Sequence, residues 1–147
     1  MKQIVLKFKC DSWSKGAQYT VMCPNCDDVE VCCPMFLPTS WFFDGCLFKL
    51  KCGSNTGSTL FSDQLGKIGE IHQSLYHWNV FYDSSSYKLI HLKRGSVLRS
   101  SSELIATIKS NAIGRVICTY NESKTIPPSL LLYVTIYYRL AFGCGGG

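Results

Sequence analysis

The chain is a run of short segments in which apolar and polar residues alternate, each closed by a turn signal. That pattern leaves little beside small antiparallel β architectures. Residues 3–9 alternate, residues 11–16 read as a turn, and residues 17–22 as the returning strand. Trp41-Phe42-Phe43 and residues 46–52 flank Asp44-Gly45, a pair suited to the left-handed backbone of a two-residue hairpin loop. Further strands are expected over 78–82, 87–92, 96–98, 104–108, 115–120 and 130–142. Asp83-Ser84-Ser85-Ser86, Arg94-Gly95, Ser110-Asn111 and Asn121-Glu122 separate them. One helix is expected over 58–75, capped by Ser58 or Ser62, because Leu65, Ile68, Ile71, His72 and Leu75 recur at helical spacing. Gly66 and Gly69 weaken that helix by about 1 kcal/mol each. The expected fold is mainly β (α+β): a small antiparallel barrel of about six strands with one helix, preceded by a cysteine-rich segment. Residues 1–147 form one domain, with 1–57 as the cysteine-rich part and 58–147 as helix plus barrel strands.

Hydrophobic residues make up 46% and charged residues 17% of the 147, enough for a core and too few charges for a disordered chain. No apolar run approaches the roughly 20 residues that span a bilayer, and the N-terminal apolar stretch is too short for a signal peptide. A cytosolic protein with no membrane partner is the expectation. Charge is uneven: residues 1–83 carry seven Lys/Arg against eight Asp/Glu, and residues 84–147 carry eight against two. The second half is therefore the candidate for meeting an anion. Lys93, Arg94 and Arg99 lie around a hairpin in the basic stretch 88–99, and Arg115 follows. These four suit phosphate contacts without sequence readout. Tyr82, Tyr87 and Tyr120 would add base stacking or, equally, strand packing.

Nine cysteines are present, seven of them from Cys10 to Cys52. In a cytosolic chain they are thiols, metal ligands or core residues. Cys23-Pro24-Asn25-Cys26 has the spacing of half a structural zinc site. Cys46 and Cys52, with Cys32 or Cys33 substituting, would complete a four-cysteine site for zinc; the other reading is small buried hydrophobes. A Cys–His dyad would pair Cys10 or Cys33 with His77 or His91, but none of these cysteines opens a helix that would stabilise a thiolate. Paired carboxylates, a phosphate loop and a dinucleotide fingerprint are missing from the sequence. No enzyme is therefore the leading expectation, and a self-cleaving papain-like cysteine protease is an alternative. A zinc-stabilised module that binds nucleic acid or protein is another.

The chain closes with Gly143-Cys144-Gly145-Gly146-Gly147, bare backbone that a narrow protease cleft accepts. An expression scar or a ubiquitin-like tail would look alike. Leu140-Ala141-Phe142 followed by this tail resembles the Phe-Gly-x-x-Gly-Gly release site of the coronavirus leader proteins (non-structural protein one), in their shorter alphacoronavirus form. The 87–98 strand and turn, the glycine-led stretch from Gly114 to Asn121, and Val5-Leu6 before Asp11-Ser12 are similar too. The resemblance covers about half the chain. It implies a six-stranded barrel with a helix across one end and a non-enzymatic suppressor of host gene expression that antagonises interferon responses. The implied partners are host translation machinery or mRNA in the host-cell cytoplasm. A viral papain-like protease would cut at Gly145, Gly146 and Gly147. The cysteine-rich segment has no counterpart in that family. The basic motif and the long C-terminal arm that plugs the ribosome in the betacoronavirus relatives are absent here.

Overall fold

In a computed structural model the described residues are 1–24, 26–35, 37–53, 57–101, 103–122 and 126–142. The first half of the wall is β1 (Lys2–Ser12), β2 (Gly16–Met22), β3 (Val29–Cys33), β4 (Thr39–Phe43), β5 (Cys46–Cys52) and β6 (Gly57–Ser62). The second half is β7 (Gly66–Gln73), β8 (His77–Tyr82), β9 (Ser85–Leu92), β10 (Gly95–Ser100), β11 (Glu103–Ser110) and β12 (Val116–Tyr120), and the helix α1 (Pro128–Phe142) follows. Each strand pairs antiparallel with the next, and β12 closes the sheet on β1 through Ile4↔Cys118 and Leu6↔Val116. The result is a closed barrel of twelve strands.

Three expectations about the wall are overturned, and a fourth concerns the last segment. The barrel has twelve strands where about six were expected. The cysteine-rich part is not a preceding segment: its alternating stretches supply β3, β4 and β5 of the same wall. The helix expected over 58–75 is the hairpin β6–β7. Ile71 points inward and is buried, but Leu65 and Leu75, which completed the helical spacing, are exposed at turns. Gly66 takes a positive φ of 72° in the first of these turns. Gly69 lies so close beneath the Tyr133 ring that a Cβ there would stand 3.0 Å from it. The Asp44-Gly45 hairpin does form, with φ of 50° and 77°, as a two-residue loop between β4 and β5 requires.

The segment 130–142 was expected to be a strand and is the helix. Residues 130 to 139 are buried on every side. The reason is hydrogen bonding. Closure leaves no free sheet edge, so an apolar segment inside the lumen satisfies its N–H and C=O groups only within itself, as a helix. A helix that is apolar all round belongs in such a place. Pro128 begins it, where a missing N–H costs nothing.

The strand number explains why the lumen takes a helix. Twelve tilted strands about 4.8 Å apart give a wall about 24 Å across, too wide for wall side chains alone to fill. A helix about 10–12 Å thick with its side chains leaves room for one inward layer. That layer is Leu6, Val31, Leu60, Val80, Leu98 and Ile108 with their neighbours, all fully buried. Polar contacts set the helix's rotation and depth. The Tyr133 and Ser58 hydroxyls are 2.7 Å apart, Gln73 Nε2 donates to Tyr137 Oη at 2.7 Å, and Ser129 bonds the Tyr82 hydroxyl.

Leu132→Ala should cost about 2–5 kcal/mol, because the wall cannot collapse onto the cavity. Leu75→Ala should stay within about 0.5 kcal/mol. Urea unfolding midpoints check this; equal effects would mean that α1 is not a core element.

Candidate docking surface at one end of the barrel

Odd-numbered strands and α1 run toward one end of the barrel, the exit end, and even-numbered strands run toward the other, the entry end. Ser129 meets Tyr82 at the entry end, and Phe142 packs on Trp78 and His91 at the exit end. The filled lumen directs attention to the outside.

Four turns at the exit end carry the described basic loop residues and most of the exposed apolar ones. Trp13 and Lys15 occupy the β1–β2 turn, where Ser12 Oγ accepts from the Lys15 N–H at 3.0 Å. Leu75 and Tyr76 occupy the β7–β8 turn, held by the His91 N–H on the Tyr76 carbonyl at 3.1 Å. Lys93 and Arg94 form the tip between β9 and β10. Ile113 and Arg115 lie in the β11–β12 turn, where Asn111 Oδ1 accepts both of their backbone N–H groups. The described loop residues of this end include no Asp or Glu, although Asp11 lies nearby at the end of β1. The entry-end loops reverse this. They expose Asp27, Asp28, Asp44, Asp63, Asp83 and Glu122 and no described Lys or Arg, although Lys2 at the start of β1 pairs with Glu122 at 3.1 Å and Lys67 lies at the start of β7.

The fold therefore brings Lys93, Arg94 and Arg115 to one end, with the two tips about 10 Å apart across two strands. It does not bring Arg99 there. Arg99 lies farther along β10, opposite Lys88 on the outer wall, lining a groove of about 390 Å³ with Asn79, Phe81 and Ser101. Tyr82 is buried inward; Tyr87 and Tyr120 are partly buried against the core, and Tyr87 also lines the groove beside Arg99.

The four cysteines expected to hold zinc, Cys23, Cys26, Cys46 and Cys52, do not all come together. Cys46 and Cys52 end opposite sides of β5, about 20 Å apart along an extended strand. Cys23 and Cys26 lie at the entry end with Cys46, and Cys52 lies at the exit end. Among the described residues no three His, Cys, Asp or Glu side chains are grouped to hold a metal ion. Burial, and then the hydrogen bond with Cys26, pushes the Cys23 thiol up to about 12. The dyads are not assembled either. β3, bearing Cys33, lies across the barrel from β9, bearing His91, and four strands separate β1, bearing Cys10, from β8, bearing His77. Burial raises the Cys33 pKa as well. Gly145, Gly146 and Gly147 of the expected release site lie outside the described residues.

An aromatic group closes the exit end. Trp78 stacks on Phe142 at 5.5 Å, and His91 meets both rings edge-on. His91 Nδ1 bonds Ser96 Oγ at 2.8 Å, and its Nε2 is buried without a partner among the described residues. Deeper in, the Arg139 guanidinium lies 5.1 Å from the Tyr19 ring centre near the carbonyl end of α1, two interactions that offset its burial. Burial first, and the neighbouring His77 second, hold the His91 pKa below its ordinary 6.5. The unfolded chain thus takes up this proton at higher pH than the folded one. Stability should be level above about pH 6.5 and fall as pH drops below it toward the folded pKa. His91→Gln should flatten that part of the profile. Thermal melts from pH 7.5 to 5 check this; an unchanged slope in the variant would place the acid sensitivity elsewhere.

Sequence reading missed the exposed Trp13, Met35, Leu37, Leu75, Tyr76 and Ile113. A signal was available: each is a large apolar residue within or beside a stretch of Ser, Pro, Gly or Asn, where a turn has no core to offer it. No described helix is long and apolar enough to cross a membrane. No protein-family model, curated protein or solved structure matches the chain.

Proposed function

We propose that this protein is a non-enzymatic docking module that engages a polyanionic partner through the exit end of its barrel. The separation of charge along the barrel axis carries the reading: Lys15, Lys93, Arg94 and Arg115 in the loops of one end, six carboxylates in those of the other. Such a molecule presents its basic end to an anion and keeps its acidic end away, which favours one orientation and fast encounter. The α1-filled lumen, and the distance between the cysteines and histidines that a dyad would need, support a binding role over catalysis.

The particular form that the resemblance implies is a viral leader protein released by a papain-like protease. It would suppress host translation and interferon responses by contact with translation machinery or mRNA. The basic exit end suits the RNA phosphates of such a partner. The six-stranded barrel of that family is not this fold, so this form is supported by the Gly-rich tail and the basic cluster.

Retention on immobilised heparin reads the polyanion contact, and its salt dependence should fall when charges are lost. Lys93→Glu/Arg94→Glu should elute at clearly lower salt, and Lys49→Glu on the outer wall should elute unchanged. Equal elution of all three proteins would sink the proposal. For the leader form, the wild-type chain should lower reporter output in cell-free translation dose-dependently, and the folded double variant should not.

A further inference from the structure

The basic residues do not stand alone at the exit end. Trp13 is fully exposed, and Met35, Leu75, Tyr76 and Ile113 each expose more than two thirds of their surface. They come from four separate turns, β1–β2, β3–β4, β7–β8 and β11–β12, distributed around the rim. Backbone and side-chain hydrogen bonds hold three of these turns in place, so the apolar tips are displayed on a set frame. Among the described residues the entry end exposes Leu65 in a loop and Met1 before β1, with Phe42, Phe81 and Leu104 on the nearby outer wall.

We infer that the exit end docks on an anionic lipid bilayer, with the apolar tips entering the interfacial layer and Lys15, Lys93, Arg94 and Arg115 on acidic headgroups. This inference rests on the polyanion-docking reading and names its partner. Trp and Tyr favour the headgroup level, and Leu, Met and Ile gain by reaching below it. Basic residues beside them gain from the negative potential of an anionic leaflet, which falls off within a Debye length. RNA would use the basic residues and stack on Trp13 or Tyr76, but it offers nothing to Met35, Leu75 or Ile113. A rigid protein would need a matching pocket for each of several tips spread around a rim about 24 Å across. A bilayer deforms around them all. The acidic entry end is repelled by the same surface, so charge orients the barrel with its axis toward the membrane. That no described helix is long and apolar enough to span a bilayer does not bear on surface docking.

The chain carries its own reporter. Trp41 and Trp78 are buried and Trp13 is exposed, so a change in tryptophan emission on docking reports Trp13. The experiment uses the full chain with vesicles of phosphatidylcholine alone or with phosphatidylserine, near physiological salt. Blue-shifted emission and co-sedimentation are expected with the anionic vesicles only. Lys93→Glu/Arg94→Glu should weaken association by at least about tenfold, given the contribution of each basic residue near such a surface. Leu75→Ser/Ile113→Ser should also weaken it while leaving heparin retention unchanged. Trp13→Phe should remove the emission shift. Heparin binding without vesicle binding would overturn the lipid inference and leave the polyanion reading standing; binding to neither would overturn both. Vesicle association that survives both double variants, or self-association through the exit end in place of vesicle binding, would likewise overturn the inference.

Discussion

The rest of the structure depends on one constraint: an apolar segment enclosed by a closed sheet must bond its own backbone. α1 meets it by being helical, and the wall depends on α1 in turn. Twelve strands enclose more space than their inward side chains fill, and the helix turns that space into a packed core. The Tyr133–Ser58, Tyr137–Gln73 and Ser129–Tyr82 contacts tie it to β6, β7 and β8. They do so with polar atoms that would be costly to bury unpaired. Apolar contact is tolerant of rotation; these bonds are not.

Filling the lumen moves function outward. A barrel with an open interior can hold a ligand among its wall residues; here that place is taken by Leu130, Tyr133, Ile136 and their neighbours. The turns at the two ends are left free of packing duties, and they differ in charge and in apolar content. The uneven charge of the sequence halves is, in space, an unevenness between barrel ends. Lys15 from the N-terminal half joins Lys93, Arg94 and Arg115, while Glu122 from the C-terminal half joins Asp27, Asp44, Asp63 and Asp83.

Much of the wall was legible because local pattern and final environment agree. Asp44-Gly45 specifies its loop by backbone chemistry, and the alternation over residues 3–9 and 78–82 matches one buried and one outer face. Two segments were not legible for opposite reasons. Over 58–75, Leu65 and Leu75 mimic a helical stripe, although each is a turn residue exposed for reasons outside its own strand. Over 130–142, Leu, Tyr, Val, Thr and Ile favour a strand, and only closure of the barrel makes a strand impossible there. Strand count was underestimated because residues 23–53 were set apart on their cysteines, of which Cys32, Cys33, Cys46 and Cys52 occupy ordinary wall strands. At the candidate site, Lys93, Arg94 and Arg115 were readable as a basic group. Arg99 was not separable from them without the strand register that carries it away along β10.

The central claim, that α1 is an internal core element on which the barrel depends, is tested most directly by native-state hydrogen exchange resolved by residue. The account predicts that the amides of residues 132 to 139 exchange only through global unfolding, at rates matching the slowest amides of β1, β8 and β12. Faster exchange of α1 than of the wall, with the wall still protected, would show that the helix leaves the lumen while the barrel persists, and would contradict the account.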